Sequence, residues 1–208
     1  MKRSKSSSRW LADHEDDEFV KRARLDGYRS RASYKLLEID DKFHILKTGN
    51  RVVDLGAAPG SWSQVAKQRV GRKGEVIALD LLEMPPIEGV TFIQGDFTES
   101  GPLQELLALT GDCSIDLVIS DMAPNLSGMK DIDQPRSIYL VELAYELATR
   151  VLHINGSLLV KCFEGEGIDA VRQLLRGGFK QVSNIKPRAS RGKSREIYLL
   201  GRGFRRLG

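Results

Sequence analysis

Residues 51–62 read RVVDLGAAPGSW, an apolar run that ends in a glycine-containing turn. The run predicts a buried strand over 51–56, and the residues after the turn predict a helix over 61–70. A glycine turn between a strand and a helix lets a ligand approach backbone N–H groups closely. Gly56 and Gly60 have three residues between them, unlike the G-x-G-x-x-G spacing of dinucleotide-binding enzymes. The stretch therefore predicts an α/β protein with a ligand site at this turn.

The rest of the chain alternates strand-like and helix-like stretches. Strands are predicted over 75–80, 90–96, 115–121, 157–163, 180–186 and 195–201, and helices over 102–110, 134–152 (with Pro135 in its first turn) and 167–176. Alternation of this kind implies right-handed crossovers and a parallel sheet. Only the loop PRASRGKS joins the last two strands, so they are expected to pair antiparallel. The predicted fold class is a Rossmann-like α/β fold: a seven-stranded, mostly parallel sheet with an antiparallel last strand and helices on both faces.

The length of 208 residues predicts one domain, 1–208. Within it we expect a basic helical extension over 1–45, the sheet and its helices over 51–201, and a basic tail over 202–208. Residues 9–45 read as one or two amphipathic helices, with Ser30 as the N-cap of the second.

The composition restricts the setting in which the protein works. No apolar run reaches the length of a membrane span, and no apolar segment follows the basic N-terminus as in a secretory signal. Two cysteines, Cys113 and Cys162, give neither a disulfide framework nor metal-ligand spacing. We therefore expect a cytoplasmic protein without a membrane partner and without a metal site. A monomer is taken as the default.

Charge is distributed unevenly along the chain. Residues 1–35 hold ten Lys and Arg against six Asp and Glu, and residues 186–208 hold eight against one, whereas the middle of the chain is net acidic. Basic segments at two separate places favour a polyanionic partner, with nucleic acid as the first candidate.

Acidic residues follow three strands in succession. Asp54 precedes the glycine turn, where it would hold the loop or meet a cationic ligand. Asp80 ends the second strand, where a carboxylate reaches ribose hydroxyls in nucleoside-binding folds, and Asp96 ends the third, placed to accept from an adenine amino group. Three carboxylates would repel a pyrophosphate but suit an adenosine ligand with a cationic centre. The predicted cofactor is therefore S-adenosyl-L-methionine.

The fourth strand ends in DMAPN, with Asp121 at its tip. Amino-group methyltransferases carry an Asn/Asp-Pro-Pro-aromatic motif at this position, and the sequence lacks its second proline and its aromatic residue. Methylation of a pyrimidine carbon needs a cysteine nucleophile. Cys162 faces away from Lys161 by strand alternation, and Cys113 lies before the fourth strand. Both base reactions are therefore disfavoured.

A lysine ends the fifth strand, in LLVKCFEGE (158–166). A charge in a buried strand is costly unless it is paired. Lys161 can approach Asp121, because the fourth and fifth strands are neighbours in this topology. Desolvation and a like charge lower the pKa of such a lysine, whereas carboxylates raise it, so the sequence leaves open whether Lys161 acts as a base or steers the acceptor oxygen.

The motifs DLGAAPGSW, SDMAPN, LLVKCFEGEG and SREIYLL resemble the FtsJ family of ribosomal RNA ribose 2′-O-methyltransferases in sequence and in order. The resemblance implies the S-adenosylmethionine-dependent methyltransferase fold and an acceptor uridine in the A-loop of 23S rRNA, within the large ribosomal subunit. Ser61 stands where glycine is expected in close relatives. The implied catalytic tetrad is Lys35, Asp121, Lys161 and Glu196, and the implied cofactor positions are Gly60, Trp62, Asp80, Asp96 and Asp121.

The two basic segments are expected to border the carboxyl ends of the strands, where basic side chains would neutralise RNA phosphates. Tyr198 shares a strand face with Glu196 and is predicted either to stack on a base or to pack in the core. The candidate RNA-binding residues are Arg29, Arg31, Arg188, Arg191, Lys193, Arg195 and Tyr198.

Three alternatives remain at this point. The substrate is another RNA, such as transfer RNA or a messenger RNA cap; the protein is a non-catalytic RNA-binding assembly factor; or it is a nucleotide-dependent oxidoreductase. The intact tetrad disfavours the second alternative, and the Gly56–Gly60 spacing disfavours the third.

Overall fold

The computed structural model describes residues 17–111, 114–125, 127–191 and 194–206. The helices are α1 (Glu18–Leu25), α2 (Ala32–Phe43), α3 (Ser61–Val70), α4 (Ser100–Thr110), α5 (Lys130–Val151) and α6 (Ile168–Gly178). The strands are β1 (Arg51–Leu55), β2 (Glu75–Asp80), β3 (Val90–Gln94), β4 (Ile115–Ser120), β5 (Leu152–Phe163), β6 (Phe179–Ile185) and β7 (Glu196–Phe204).

The seven strands form one sheet in the order β3-β2-β1-β4-β5-β7-β6. β1 pairs in parallel with both β2 and β4, and β5 pairs in parallel with β4. β7 lies between β5 and β6 and is antiparallel to both. The predicted fold class and the antiparallel last pair are therefore confirmed. The strand order reverses between β1 and β4, and such a switch point leaves a crevice at the carboxyl ends of the strands.

Apolar side chains cover both faces of the sheet. One core cluster joins strand residues such as Val53 and Val118 to α5 and α6 residues such as Val141 and Val171. The other joins the opposite face, including Leu159, to α2 and α3. Because helices bury both faces, the ends of the strands are left as the place where a ligand can reach the sheet. Among the described residues, no helix is long and apolar enough to cross a membrane.

The N-cap of α2 differs from the prediction by one residue. Arg31 occupies the cap position with helical dihedral angles and without a side-chain cap bond. The predicted cap, Ser30, accepts a hydrogen bond from the backbone N–H of Ala32 at 3.1 Å. Its hydroxyl also lies 2.7 Å from that of Ser61, so Ser30 joins the start of α2 to the start of α3.

Three elements extend beyond their predicted bounds by three residues or more. α5 begins at Lys130, so Pro135 is its sixth residue and does not lie in its first turn. β5 begins at Leu152, five residues before the predicted start. β7 continues to Phe204 because it pairs with strands on both sides, and 202–204 are therefore sheet and not the predicted tail.

Candidate active site at the carboxyl ends of the strands

A cavity of about 610 Å³ opens at the switch point of the sheet. Gly56 lines it directly after β1 and has a φ of 70°. A Cβ at Gly56 would lie 2.3 Å from the Cγ of Met122, so a glycine is needed both for the turn and for the space. The predicted cofactor residues Gly56, Asp80, Asp96 and Asp121 all line this cavity.

Asp80 joins two loops that border the cavity. Its Oδ2 accepts a hydrogen bond from the backbone N–H of Ala58 at 2.8 Å, and its Oδ1 accepts one from Leu82 at 2.8 Å. Each carboxylate oxygen can accept a second hydrogen bond. Asp80 therefore fixes the glycine turn and keeps acceptor capacity for a ligand hydroxyl.

Asp96 lies two residues beyond the end of β3 and not at the predicted strand end. Its Oδ1 accepts from the backbone N–H of Thr98 at 2.8 Å and from the Thr98 hydroxyl at 2.7 Å. These bonds hold the carboxylate at the cavity, where it can accept from an amino group.

Three predicted cofactor residues lie around the turn but are absent from the residues that line the cavity. Asp54 is 1% exposed and accepts from the Ser63 hydroxyl at 2.6 Å, and burial raises its pKa to about 7. Trp62 is 2% exposed, donates to the carbonyl of Ala32 at 2.9 Å and packs on Tyr198. Gly60 has a φ of 98° and begins α3 as its N-cap. These contacts join β1 to α3 and α3 to α2, and they thereby position the glycine turn.

Strand register brings part of the predicted tetrad together. In the β5–β7 pair, Lys161 lies opposite Tyr198 and Phe163 lies opposite Glu196. Directly opposed residues share a sheet face, and so do residues two apart on one strand. Lys161, Tyr198 and Glu196 therefore lie on the same face, next to the tip of β4.

The tetrad residues are connected by ion pairs and by one tyrosine. The Nζ of Lys161 lies 3.0 Å from Oδ1 of Asp121 and also donates to the Asp121 backbone carbonyl. The Nζ of Lys35 lies 2.7 Å from Oε1 of Glu196. The Tyr198 hydroxyl lies 2.6 Å from Oδ1 of Asp121 and 3.3 Å from Oε1 of Glu196. We call Lys35, Asp121, Lys161 and Glu196 the tetrad cluster.

The electrostatics of the cluster favour charged carboxylates and a neutral tyrosine. Burial raises the pKa of Glu196, but the positive charges of Lys35 and Lys161 and the hydrogen bonds to its oxygens outweigh burial, so that this pKa lies below its usual value. Burial and the charges of Asp121 and Glu196 raise the pKa of Tyr198 well above its usual value. Tyr198 is therefore a hydrogen-bond donor between two carboxylates.

Sequence reasoning missed Ser190 and Glu38, which hold the loop between β6 and β7. The hydroxyl of Ser190, which is 6% exposed, donates to Oε1 of Glu196 at 2.9 Å. The Glu38 carboxylate accepts from the backbone N–H groups of Arg188 at 2.6 Å and Ala189 at 3.1 Å. The loop is thus fixed to α2 and to the tetrad cluster. No sequence signal separated Ser190 from the other serines in these basic segments.

Apolar residues on the cavity wall were also missed. Leu81, Leu82 and Tyr139 line the cavity and are 65%, 69% and 57% exposed. Two leucines directly after Asp80, in a loop that continues into Pro85 and Pro86, were an available signal, because exposed adjacent leucines outside a helix or strand are unusual.

The described candidates for RNA binding are either exposed to solvent or bound to other parts of the protein. Arg188, Arg191 and Arg195 are exposed, and Lys193 lies outside the described residues. Arg31 pairs with Asp17 and donates to the Ala189 carbonyl. Arg29 donates to three carbonyls. The structure does not support Tyr198 as an RNA contact, since the residue is 0% exposed and its ring packs on Trp62.

Of the two cysteines, Cys113 lies outside the described residues, and Cys162 lies away from the cavity. Cys162 is 1% exposed within the core cluster that joins β5 to α5 and α6. Burial raises the pKa of its thiol to about 12. A buried thiol with such a pKa is a poor nucleophile. This position agrees with the prediction that Cys162 faces away from Lys161.

Comparisons with known proteins identify the family to which the chain belongs. The family model FtsJ-like methyltransferase matches residues 28–204. The chain is 58% identical over 205 residues to a Pseudomonas aeruginosa protein, and 55% identical over 204 residues to one from Cellvibrio japonicus. Both are named Ribosomal RNA large subunit methyltransferase E, and the alignments cover 97% or more of every chain.

A solved structure extends the comparison to the fold. A crystal structure described as a ribosomal RNA methyltransferase from Plasmodium falciparum superimposes with a TM-score of 0.75. It is 35% identical in sequence, and the match covers 85% of this chain and 98% of the other.

Proposed function

Because the chain belongs to the FtsJ-like methyltransferase family, we propose that it methylates a ribose 2′-hydroxyl of 23S rRNA, with S-adenosyl-L-methionine as the donor. The acceptor is a uridine of the A-loop in the large ribosomal subunit. The observation that carries the proposal is the tetrad cluster, which shares Asp121 with the cavity. The names of the two bacterial relatives support a large-subunit rRNA substrate.

The residues on the cavity wall fit S-adenosyl-L-methionine. Asp80 and Asp96 have acceptor capacity for ribose hydroxyls and an adenine amino group, and Leu81, Leu82 and Tyr139 supply apolar surface. When bound, the cofactor supplies a methyl group activated on a sulfonium. The carboxylates at the cavity favour that positive charge and would oppose a phosphate-bearing nucleotide.

Lys161 is assigned the role of holding the acceptor oxygen. A protonated lysine has three N–H donors, and the side chain and the backbone carbonyl of Asp121 accept two of them. The third is left for the ribose oxygen. Complete alignment of the oxygen with the methyl group is worth about 7–11 kcal/mol relative to a bimolecular encounter, and the Lys161 hydrogen bond supplies one part of it. Asp121 pairs with Lys161, and its carboxylate is assigned as the acceptor of the proton that the ribose hydroxyl loses on methylation.

Lys35 and Glu196 complete the support of the acceptor ribose. Their ion pair, at 2.7 Å, is connected to Asp121 by the Tyr198 hydroxyl, which lies 3.3 Å from Glu196 and 2.6 Å from Asp121. The side chains of Lys35 and Glu196 are each 12% exposed, so the pair is mostly desolvated and holds a fixed geometry.

The RNA backbone is assigned to the exposed arginines of the β6–β7 loop, Arg188, Arg191 and Arg195. The loop ends at Glu196, so phosphates bound there would lie next to the tetrad cluster. Arginine binds phosphate through paired N–H donors and makes the binding dependent on salt. We also expect a monomer in the cytoplasm, which sedimentation of the purified protein and cell fractionation would test.

The proposal is tested with large ribosomal subunits from cells that lack the protein. Purified protein and methyl-labelled S-adenosylmethionine are added, the RNA is digested to nucleosides, and the labelled product is identified by mass spectrometry. We expect 2′-O-methyluridine from subunits. Label on a base would overturn the ribose assignment. Label in transfer RNA, but not in subunits or free 23S rRNA, would overturn the substrate.

A further inference from the structure

Arg29 connects two loops that border the cofactor cavity. Its Nη1 donates to the carbonyl of Pro59 at 2.7 Å and to that of Pro85 at 2.7 Å, and its Nη2 donates to Pro86 at 2.8 Å. A guanidinium has five N–H donors in a rigid plane, so it can bind several carbonyls at once. With three bonds to backbone carbonyls, Arg29 is committed to the protein, although its sequence context predicts an RNA contact.

The two loops joined by Arg29 both contribute to the cavity wall. The glycine turn contributes Gly56 and Ala58, and the loop after β2 contributes Leu81 and Leu82. Asp80 already joins these loops through the backbone N–H groups of Ala58 and Leu82. Arg29 joins the same loops a second time, farther along both of them.

Gln64 positions the backbone of Arg29, and Gly60 leaves space for its guanidinium. Its backbone N–H donates to Oε1 of Gln64 at 3.2 Å, and Nε2 of Gln64 donates to the carbonyl of Gly27 at 2.9 Å. A Cβ at Gly60 would lie 2.7 Å from Nη1 of Arg29. The missing side chain at Gly60 thus gives the guanidinium its place beside the turn.

We infer that Arg29 is a positioning residue of the cofactor site, which fixes the distance between the glycine turn and the loop after β2. The inference rests on the proposed function, because it takes S-adenosyl-L-methionine as the ligand of the cavity. Without Arg29, the parts of both loops beyond the Asp80 hydrogen bonds must become ordered when the cofactor binds, and that ordering weakens the affinity. The described hydrogen bonds of Arg29 go to Gln64 and to three proline carbonyls, and not to the tetrad cluster. Loss of the Arg29 side chain therefore changes cofactor affinity and not the rate of methyl transfer.

The test measures cofactor affinity and RNA kinetics separately for Arg29→Ala and Arg29→Lys. Calorimetry with S-adenosylmethionine alone should give an affinity about tenfold weaker for Arg29→Ala, a change that corresponds to about 1.4 kcal/mol. Arg29→Lys should recover little of it, because one ammonium cannot bind all three carbonyls. In both variants the KM for the cofactor rises, while kcat at saturating cofactor and the KM for RNA stay near the wild-type values.

The matched control is Arg24→Ala, which removes an exposed arginine of α1 and should not change cofactor affinity. Wild-type affinity in both Arg29 variants would overturn the inference, even if their melting temperatures fell. An increased KM for RNA that Arg29→Lys restores would also overturn it and would make Arg29 a phosphate contact. Failure of the wild-type protein to bind S-adenosylmethionine would overturn the cofactor assignment itself. If Arg29→Ala does not fold, Arg29→Lys alone decides between these outcomes.

Discussion

The tetrad cluster and the cofactor cavity share Asp121 but are built in opposite ways. In the cluster, oppositely charged side chains pair with one another and are only 8–19% exposed. In the cavity, the carboxylates of Asp80 and Asp96 bind backbone N–H groups, and the apolar wall is open to solvent. The groups proposed for the chemical step thus pair with one another. The proposed cofactor site is instead a solvent-open cavity whose bordering loops are joined by Asp80 and Arg29.

This difference separates the effects of substitutions. A change in the cluster should alter the rate of methyl transfer at saturating cofactor, because we assign the contact with the acceptor to the cluster. A change in the loops around the cavity should alter cofactor affinity. A change at the exposed arginines of the β6–β7 loop should alter neither and should affect only RNA binding.

The largest effect is expected for Lys161→Met, which keeps the length of the side chain but removes its donors. We expect kcat to fall by about 10²–10³-fold, the range for removing one positioned hydrogen-bond donor to a reacting oxygen. Cofactor affinity measured by calorimetry should stay close to the wild-type value. Lys73→Met, at an exposed lysine after α3, is the control. A Lys161→Met variant with normal kcat would remove Lys161 from the chemistry.

Gly56→Ala should weaken the cofactor site through a contact that Gly71→Ala lacks. Both glycines have a φ of 70°, but only the Cβ at Gly56 would meet Met122, at 2.3 Å, and nothing lies within 4 Å at Gly71. The shared backbone strain costs each variant about 1–3 kcal/mol of unfolding free energy. Only Gly56→Ala should in addition lose cofactor affinity. Equal affinity in the two variants would show that the Met122 contact does not shape the site.

Two buried carboxylates should respond to pH in opposite directions. The pKa of Asp54 is about 7 in the folded protein, above the value of about 3.9 in an unfolded chain. Its contribution to stability is therefore complete below about pH 4 and is lost as the pH rises towards about 7. Glu196 has a lowered pKa, so its contribution is present above its unfolded pKa and is lost as the pH falls through the folded pKa.

The variant Asp54→Asn removes one of these two titrations. Unfolding free energy measured by denaturant between pH 5 and pH 7 should decrease less steeply with pH than in the wild-type protein. The Asn side chain can still accept from the Ser63 hydroxyl, so the fold is kept. An unchanged pH slope would mean that Asp54 is ionised throughout this range.

The smallest effect is expected at the exposed arginines of the β6–β7 loop. Replacing Arg188 and Arg191 together by Ala should reduce the slope of log K for RNA binding against log salt by about 2, or about 1 for each phosphate contact. Cofactor affinity should not change. The charge-matched control replaces the exposed Arg72 and Lys73, located after α3, together by Ala. A salt slope equal to that of the wild type would place the RNA elsewhere.

The sequence predicted those parts of the site that follow from strand order and alternation. Lys161 and Asp121 end neighbouring parallel strands, and residues two apart on β7 share a face, so their proximity follows from topology. The resemblance to the FtsJ family supplied Lys35, which lies on a helix outside the sheet, and the family match confirms that resemblance.

What the sequence could not predict is the direction in which a side chain points once loops fold back on the site. Arg29 and Arg191 are both arginines in basic, serine-containing segments, yet the first binds three carbonyls and the second is exposed. The sequence predicts for Tyr198 either base stacking or core packing, because strand alternation gives the face of a side chain but not its burial. Its burial depends on the packing of Trp62 and on two carboxylates brought together by separate elements.

The most direct test of the account is the chemical position of the transferred methyl group. Large subunits are methylated with labelled S-adenosylmethionine by the wild-type protein or by Lys161→Met, and the RNA is hydrolysed in alkali. A 2′-O-methyl group blocks attack of that oxygen on the adjacent phosphate, so we predict label in an alkali-stable dinucleotide, and only with the wild-type protein. Label in mononucleotides would place the methyl group on a base and contradict the role of the tetrad cluster, and equal label with Lys161→Met would contradict the role of that lysine.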